Sequence, residues 1–242
     1  MRTVPAGNGF TWIASGWRLF APAWLMRIIS MLVILIIAIL LHAVPLAGAV
    51  AWQLANPVFF AGLMAGCASL ESGGDFEIEH VFAGFRRHFG SLVVVGLVMF
   101  VAEFVLVFGF VAFAGIGVLT GVATAASGEE AEMMLAASAI PILLGALVVS
   151  LLALPLLMAY WFAPALVALD GMAPLTAMKT SFMGCLKNVL PTLLYGVAMF
   201  VLLVLAIIPF GLGLLVWVPL AFTTTYAAYR DIFTTVSAPA PA

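Results

Sequence analysis

Polar positions in this chain are sparse and clustered, and the apolar runs between the clusters define its elements. Residues 28–70 and 190–229 contain no Lys, Arg, Asp or Glu. Each run exceeds the roughly 20 residues that one membrane-crossing helix needs, so each must hold two helices. Pro45 and Gly48 break the first run, and Pro209 to Gly213 break the second, because Pro and Gly disfavour helix continuation. Two further apolar runs lie between polar clusters. The pattern predicts six spans, near 25–43, 48–70, 92–119, 138–167, 190–208 and 212–229. Pro57 kinks the second span, and Pro141, Pro155 and Pro164 mark kinks or ends of the fourth. Gly62 and Gly66 form a GxxxG pair that lets another helix approach closely.

Three shorter segments mix apolar and basic residues. In residues 8–24, Phe10, Ile13, Trp17, Phe20 and Trp24 recur at steps of three and four, with Arg18 off the stripe. After a turn at Ser72–Gly74, Ile78, Val81, Phe82, Phe85 and Phe89 lie beside Glu79, Arg86, Arg87 and His88. In residues 170–188, Leu175, Met178, Phe182, Cys185 and Leu186 share a face next to Lys179 and Lys187. Each reads as an amphipathic helix lying along the lipid headgroups. An irregular N-terminal strap is the other reading of the first.

These segments also repeat. Phe82, Gly84 and Arg87 align with Phe182, Gly184 and Lys187, and Gly96, Met99, Phe100 and Val101 align with Gly196, Met199, Phe200 and Val201. Gly16-Trp17-Arg18 resembles Gly84-Phe85-Arg86. Units near 8–70, 76–169 and 172–230 follow, each an interfacial helix and a hairpin of two spans. The competing explanation is the general likeness of apolar helices. The expected fold class is all-α, a polytopic membrane helix bundle of six transmembrane helices in three repeated units. It forms a single domain over residues 1–236, followed by a disordered tail at 237–242.

Composition supports lipid as the solvent. The chain has 242 residues, 66% hydrophobic and 7% charged, against about half and a quarter in soluble domains. On six spans, Arg2, Arg18, Arg27, Arg86, Arg87, Lys179, Lys187 and Arg230 all fall on one side. His42, Glu129, Glu130 and Glu132 fall on the other. Positive residues stay cytoplasmic, so both termini are expected inside a bacterial inner membrane. The 8 basic and 10 acidic residues give no reason to expect nucleic acid. The amphipathic stretch ahead of the first apolar run does not fit a cleaved signal peptide.

Glu103 is the acid inside a span, about 12 residues into the third and so roughly 18 Å deep at 1.5 Å per residue. Asn56 and Ser150 fall at similar depth, where either could hydrogen-bond it. A charge there is costly. Glu103 therefore reads either as a protonated clasp between helices or as part of a polar intramembrane site. His42, His80 and His88 lack metal-ligand spacing. Cys67 and Cys185 read as packing residues. No phosphate-binding loop or nucleophile motif is present, so no catalytic residue, cofactor or metal is expected and the chain is read as a non-enzyme. Arg18, Arg86, Arg87, Lys179 and Lys187 are candidate headgroup contacts, or simply topological anchors.

The run FAPALVALDGMAPLTAMKTSFMGCLKNVLPTLLYGV, then IIPFGLGLLVWVPLAFTTTYAAYRDIF, with GFTWIASGWRLF near the start, resembles a family of uncharacterised proteobacterial integral membrane proteins. More distantly, PLTAMKTSF and KNVLP resemble YciC-like inner-membrane proteins and the membrane domain beside some glycerophosphodiester phosphodiesterases. The resemblance implies an inner-membrane, six-helix protein and carries no activity. The expected partners are membrane lipids, with a protein partner or a second copy left open. The first expectation for function is a lipid- or partner-binding accessory component. The alternative is a small-molecule or lipid transporter working around Glu103.

Overall fold

The computed structural model describes residues 1–126, 128 and 131–234. Glu129, Glu130 and the 237–242 tail lie outside the described residues. Among the described residues the chain is helical, with no strand. The helices are α1 (Asn8–Phe20), α2 (Trp24–His42), α3 (Ala47–Glu71), α4 (Ala83–Arg86), α5 (Phe89–Ala126), α6 (Ala131–Trp161), α7 (Ala163–Asp170), α8 (Pro174–Lys187), α9 (Val189–Ile207) and α10 (Leu214–Phe233). Among the described residues, five stretches are long and apolar enough to cross a membrane: Asn8–His42, Ala47–Glu71, Phe89–Ala126, Leu135–Asp170 and Val189–Ile207. The first runs through a 3-10 turn at Ala21–Ala23 that divides α1 from α2. α10 has 20 residues but is not among the five. Its C-terminal half, Thr223 to Tyr229, is buried in protein and carries threonines and tyrosines there.

The helices group into two compact units, Met1–Leu97 with Met158–Ala242, and Val98–Leu157. In Val98–Leu157, α5 and α6 pack through small residues. A Cβ at Gly145 would meet the Phe113 Cβ at 2.5 Å, and one at Gly117 would meet the Ser138 carbonyl at 2.6 Å. The Thr120 hydroxyl donates across the pair to the Ala137 carbonyl at 2.7 Å. Outward faces carry Phe104, Phe108, Leu119, Leu143 and Leu151, all exposed on the protein surface. A soluble monomer rarely shows such an apolar face, whereas lipid covers it without cost.

In the larger unit, α1 packs on α9 and α10, the 76–86 segment packs on α3, and α8 packs on α7. The buried face of α1 is Gly9, Trp12, Gly16 and Phe20. The aromatic stripe read from the sequence shares only Phe20 with it: Phe10, Trp17 and Trp24 are each more than half exposed, at 55%, 51% and 53%. The stripe is therefore the outward face. The reason is close approach. A Cβ at Gly16 would lie 2.7 Å from both the backbone nitrogen and the Cα of Thr224, so a larger residue would push α10 away.

The second amphipathic segment is not one helix. It is a 3-10 helix at Ile78–Phe82, followed by α4 and a break at His88, whose φ is +59°. Gly84 lies against the Val58 carbonyl of α3, with Val58 Cγ1 3.0 Å from the position of an added Cβ. The fourth predicted span also divides, into α6 and α7, and the break has a visible cause. The Phe162 amide donates to Ser181 Oγ at 3.0 Å, and that hydroxyl donates to the Met158 carbonyl at 2.6 Å. In an uninterrupted helix Phe162 would bond Met158 directly. Ser181 of α8 inserts into that rung, and a group inserted into the ladder is a standard origin of a kink.

Candidate functional site

A polar cluster lies where the N-terminus, α1, the end of α3 and the end of α10 meet. Asp231 is its hub. It accepts from Asn8 Nδ2 at 2.7 Å and from Trp12 Nε1 at 2.8 Å, and it pairs with the Arg2 guanidinium. Arg2 Nε also donates to the Asp231 carbonyl at 2.5 Å. Burial alone would raise the Asp231 carboxyl; the bonds from Asn8, Trp12 and Arg2, with the charge of Arg2, outweigh it and hold the group below the ordinary carboxylate value. Beside it, Glu71 pairs with Arg230 and accepts from the Tyr226 hydroxyl at 2.7 Å. The strap ahead of α1 is held by Asn188, whose Oδ1 accepts the Val4 amide at 2.8 Å and whose Nδ2 donates to the Arg2 carbonyl at 3.0 Å.

Arg2, Asn8, Trp12, Glu71, Tyr226, Arg230 and Asp231 line a pocket of about 390 Å³ that also takes in Thr11, Ser15 and Arg18. Three guanidinium groups, Arg2, Arg18 and Arg230, face two carboxylates, Glu71 and Asp231. The carboxylates are already matched to Arg2 and Arg230. Arg18 Nη2 donates to Ser15 Oγ at 3.1 Å. Among the described residues no carboxylate lies within ion-pair distance of Arg18. Thr11 and Arg18 also border a second, larger groove of about 960 Å³ between α1, α9 and α10. Its walls are apolar: Phe10, Ile13 and Trp17 on one side, Leu202, Leu205, Val216 and Leu220 on the other. Trp217 is fixed in the wall by an indole bond to the Met199 carbonyl at 3.0 Å.

Of the remaining residues singled out in the sequence, Asn56 accepts from the Tyr160 hydroxyl at 2.6 Å. Glu103 and Ser150 lie on α5 and α6 in the Val98–Leu157 unit, at exposed positions. Arg86 makes an exposed ion pair with Glu79 at 3.7 Å, a geometry worth little in water. Arg87, Lys179 and Lys187 are exposed. Arg87 and His88 border a pocket with Glu77, Glu79 and His80. Among the described residues no group of three His, Cys, Asp or Glu converges as metal ligands would. His80 instead receives the Glu77 amide on Nδ1 at 3.0 Å, which closes the first turn of its 3-10 helix. Cys185 is fully buried, and burial pushes its thiol up to about 12, so it stays an unreactive packing group at neutral pH.

Arg27 counts among the cations expected on the cytoplasmic side. The structure buries it, at 2% exposure, with its guanidinium 4.6 Å from the centre of the Phe76 ring and Nη1 3.4 Å from Cys67 Sγ. Among the described residues, its Nε and Nη2 have no hydrogen-bond partner. Replacing a buried charge by an apolar group of similar size is often neutral or stabilising. Arg27→Met should therefore leave the melting temperature in detergent unchanged or raise it. Arg27→Ala should lower it, because the stem that covers Phe76 is lost.

The sequence reading had passed over Asp231, Glu71, Asn188 and Tyr160. The RD pair at 230–231, at the end of a long apolar run, was the available signal.

Comparison with known proteins places the chain. Residues 17–241 match the family described as a domain of unknown function, DUF7847. The chain belongs to that family. It is also 27% identical over 251 aligned residues to a probable inner membrane protein of Burkholderia thailandensis, an alignment covering 95% of this chain and 92% of that relative. No solved structure matches. The family, the relative and the five apolar stretches make this a membrane protein with transmembrane helices and no activity assigned.

Proposed function

We propose that this DUF7847 protein is a non-enzymatic, lipid-binding accessory component of the bacterial inner membrane. One observation carries the reading: α1 turns Phe10, Trp17 and Arg18 outward beside an apolar groove, while its other face is locked to α9 and α10. Aromatic and basic residues together are what the membrane–water interface favours.

The topology we favour has six spans in three units, with α10 as the sixth and both termini cytoplasmic. Packing supports the repeat. The amphipathic segment of each unit leans on the last helices of the unit before it in a ring: α4 and the 3-10 helix on α3, α8 on α7, and α1 on α10. The corresponding glycines Gly16, Gly84 and Gly184 are all buried at these packed segments. With α10 counted, every Lys and Arg lies on one face, as the positive-inside rule favours. The distant resemblance to YciC-like proteins and to the phosphodiesterase membrane domain adds no chemistry to this reading.

Native mass spectrometry of the chain drawn from its own membrane in mild detergent tests the function. Retained phospholipid at fixed stoichiometry is the expected result. A chain that emerges lipid-free with a stoichiometric protein companion would replace lipid binding by partner binding.

A second reading is a small-molecule or lipid transporter with a polar intramembrane site around Glu103, favoured by an acid deep within the apolar α5. Glu103→Gln discriminates. An accessory protein with a structural Glu103 should keep both its lipid and its melting temperature. Loss of a bound small molecule with the fold intact would move the assignment to transport.

A further inference from the structure

Resting on the lipid-binding reading, we propose that the groove between α1, α9 and α10 together with Arg18 is a built site for one monoanionic phospholipid. One acyl chain lies in the groove and the phosphate sits on Arg18.

Three observations converge on this occupant. Apart from Thr11 and Arg18 the groove walls are apolar side chains of α1, α9 and α10, and the groove holds about 960 Å³, which suits a hydrocarbon chain better than a polar metabolite. Arg18 and Thr11 border both this groove and the polar pocket of about 390 Å³. A molecule at Arg18 therefore has apolar wall on one side and hydroxyl, amide and guanidinium groups on the other, the two-ended character of a phospholipid. The charge of the polar pocket then selects the headgroup. Arg2 and Arg230 are matched by Asp231 and Glu71, so the Arg18 charge stands over. One negative charge balances it. A headgroup that brings its own ammonium does not.

The geometry of the walls fits a lasting site. α1 cannot shift toward α10, because Gly16 is already against the Thr224 backbone. The Trp217 indole is held by its bond to the Met199 carbonyl. The site is therefore preorganised, and a chain entering it does not have to order its walls.

The test uses the full chain, delipidated in detergent and titrated with phosphatidylglycerol or phosphatidylethanolamine under native mass spectrometry. We expect one tightly held phosphatidylglycerol, about fivefold preferred over phosphatidylethanolamine, the effect of one basic residue near the headgroup. Arg18→Gln should bring that preference close to one. Ala14→Trp fills the groove from an exposed position on α1 and should abolish retention of both lipids without lowering the melting temperature. Leu205→Trp, from the α9 wall, repeats the test should the α1 variant melt early. Equal retention of the two lipids by the wild type, or a preference that survives both Arg18→Gln and the groove-filling variants, overturns this site while lipid binding as such stands. No retained phospholipid of either kind overturns the site and the lipid-binding reading together.

Discussion

Gly16→Ala is expected to cost about 1–3 kcal/mol of stability, the usual range for an overpacked interface, and to lower the melting temperature in detergent accordingly. The added methyl carbon would fall 2.7 Å from the Thr224 nitrogen and from its Cα. Both are backbone atoms, so no rotamer change relieves the clash and α1 must lift off α10. That movement also weakens the contacts of Trp12, whose ring lies edge-on to Tyr195 with centroids 5.9 Å apart. Gly115→Ala is the control. It lies within α5 with nothing within 4 Å of an added Cβ, and Ala is the better helix former by about 1 kcal/mol. It should be neutral or mildly stabilising. Equal melting temperatures for the two variants would remove close approach at Gly16 as the basis of α1 docking.

The contrast between these glycines shows what the sequence could and could not reveal. Lipid as solvent writes itself into composition, so the apolar stretches were legible, and α2, α3 and α9 begin and end within a residue or two of the expected limits. The same solvent hides which face of a helix points inward. In water an apolar stripe marks the buried side, but in a membrane both sides can be apolar. Phe10, Ile13, Trp17, Phe20 and Trp24 read as one face, yet the face that packs on protein is Gly9, Trp12, Gly16 and Phe20. Small residues at a spacing of seven, flanking an aromatic with a polar handle, were the signal for it. Pro141, Pro155 and Pro164 read as kinks or ends of the fourth span, and the helix divides at Phe162, two residues before Pro164, while Pro141 and Pro155 lie inside α6. Pro164 occupies the first turn of α7, and at the break itself Ser181, nineteen residues past Phe162, enters the ladder, a partner that no local pattern announces. The polar hub was hidden for the same reason: the partners of Asp231 are residues 2, 8 and 12, more than two hundred positions away. Glu103, conspicuous because an acid stands out among apolar letters, lies in a different compact unit from that hub.

Asp231→Ala should be the most damaging substitution at the polar cluster. It removes the acceptor of a buried indole N–H, that of Trp12, which is 2% exposed. It also removes the acceptor of the Asn8 carboxamide and the counter-charge of Arg2. A buried donor left without a partner costs about 1–3 kcal/mol, and the charge-assisted bonds add to that. Asp231→Asn keeps an acceptor oxygen and should lose less. The pH dependence gives an independent readout. The Asp231 carboxyl is held below its ordinary value of 3.8 in the folded chain. A depressed carboxylate contributes stability that is fully present above the unfolded value and is lost as pH falls through the folded one. The melting temperature of the wild type should therefore carry an Asp231-dependent decline only below the ordinary carboxylate range, and Asp231→Ala should flatten that acid limb while lowering the neutral-pH plateau. Parallel curves for the two proteins, offset but equal in slope, would mean that the carboxylate packs at the junction of α1 and α10 without electrostatic work. In that case Trp12 and Gly16 alone would hold α1 in place, and the Arg2 pair would be a surface bond of little consequence.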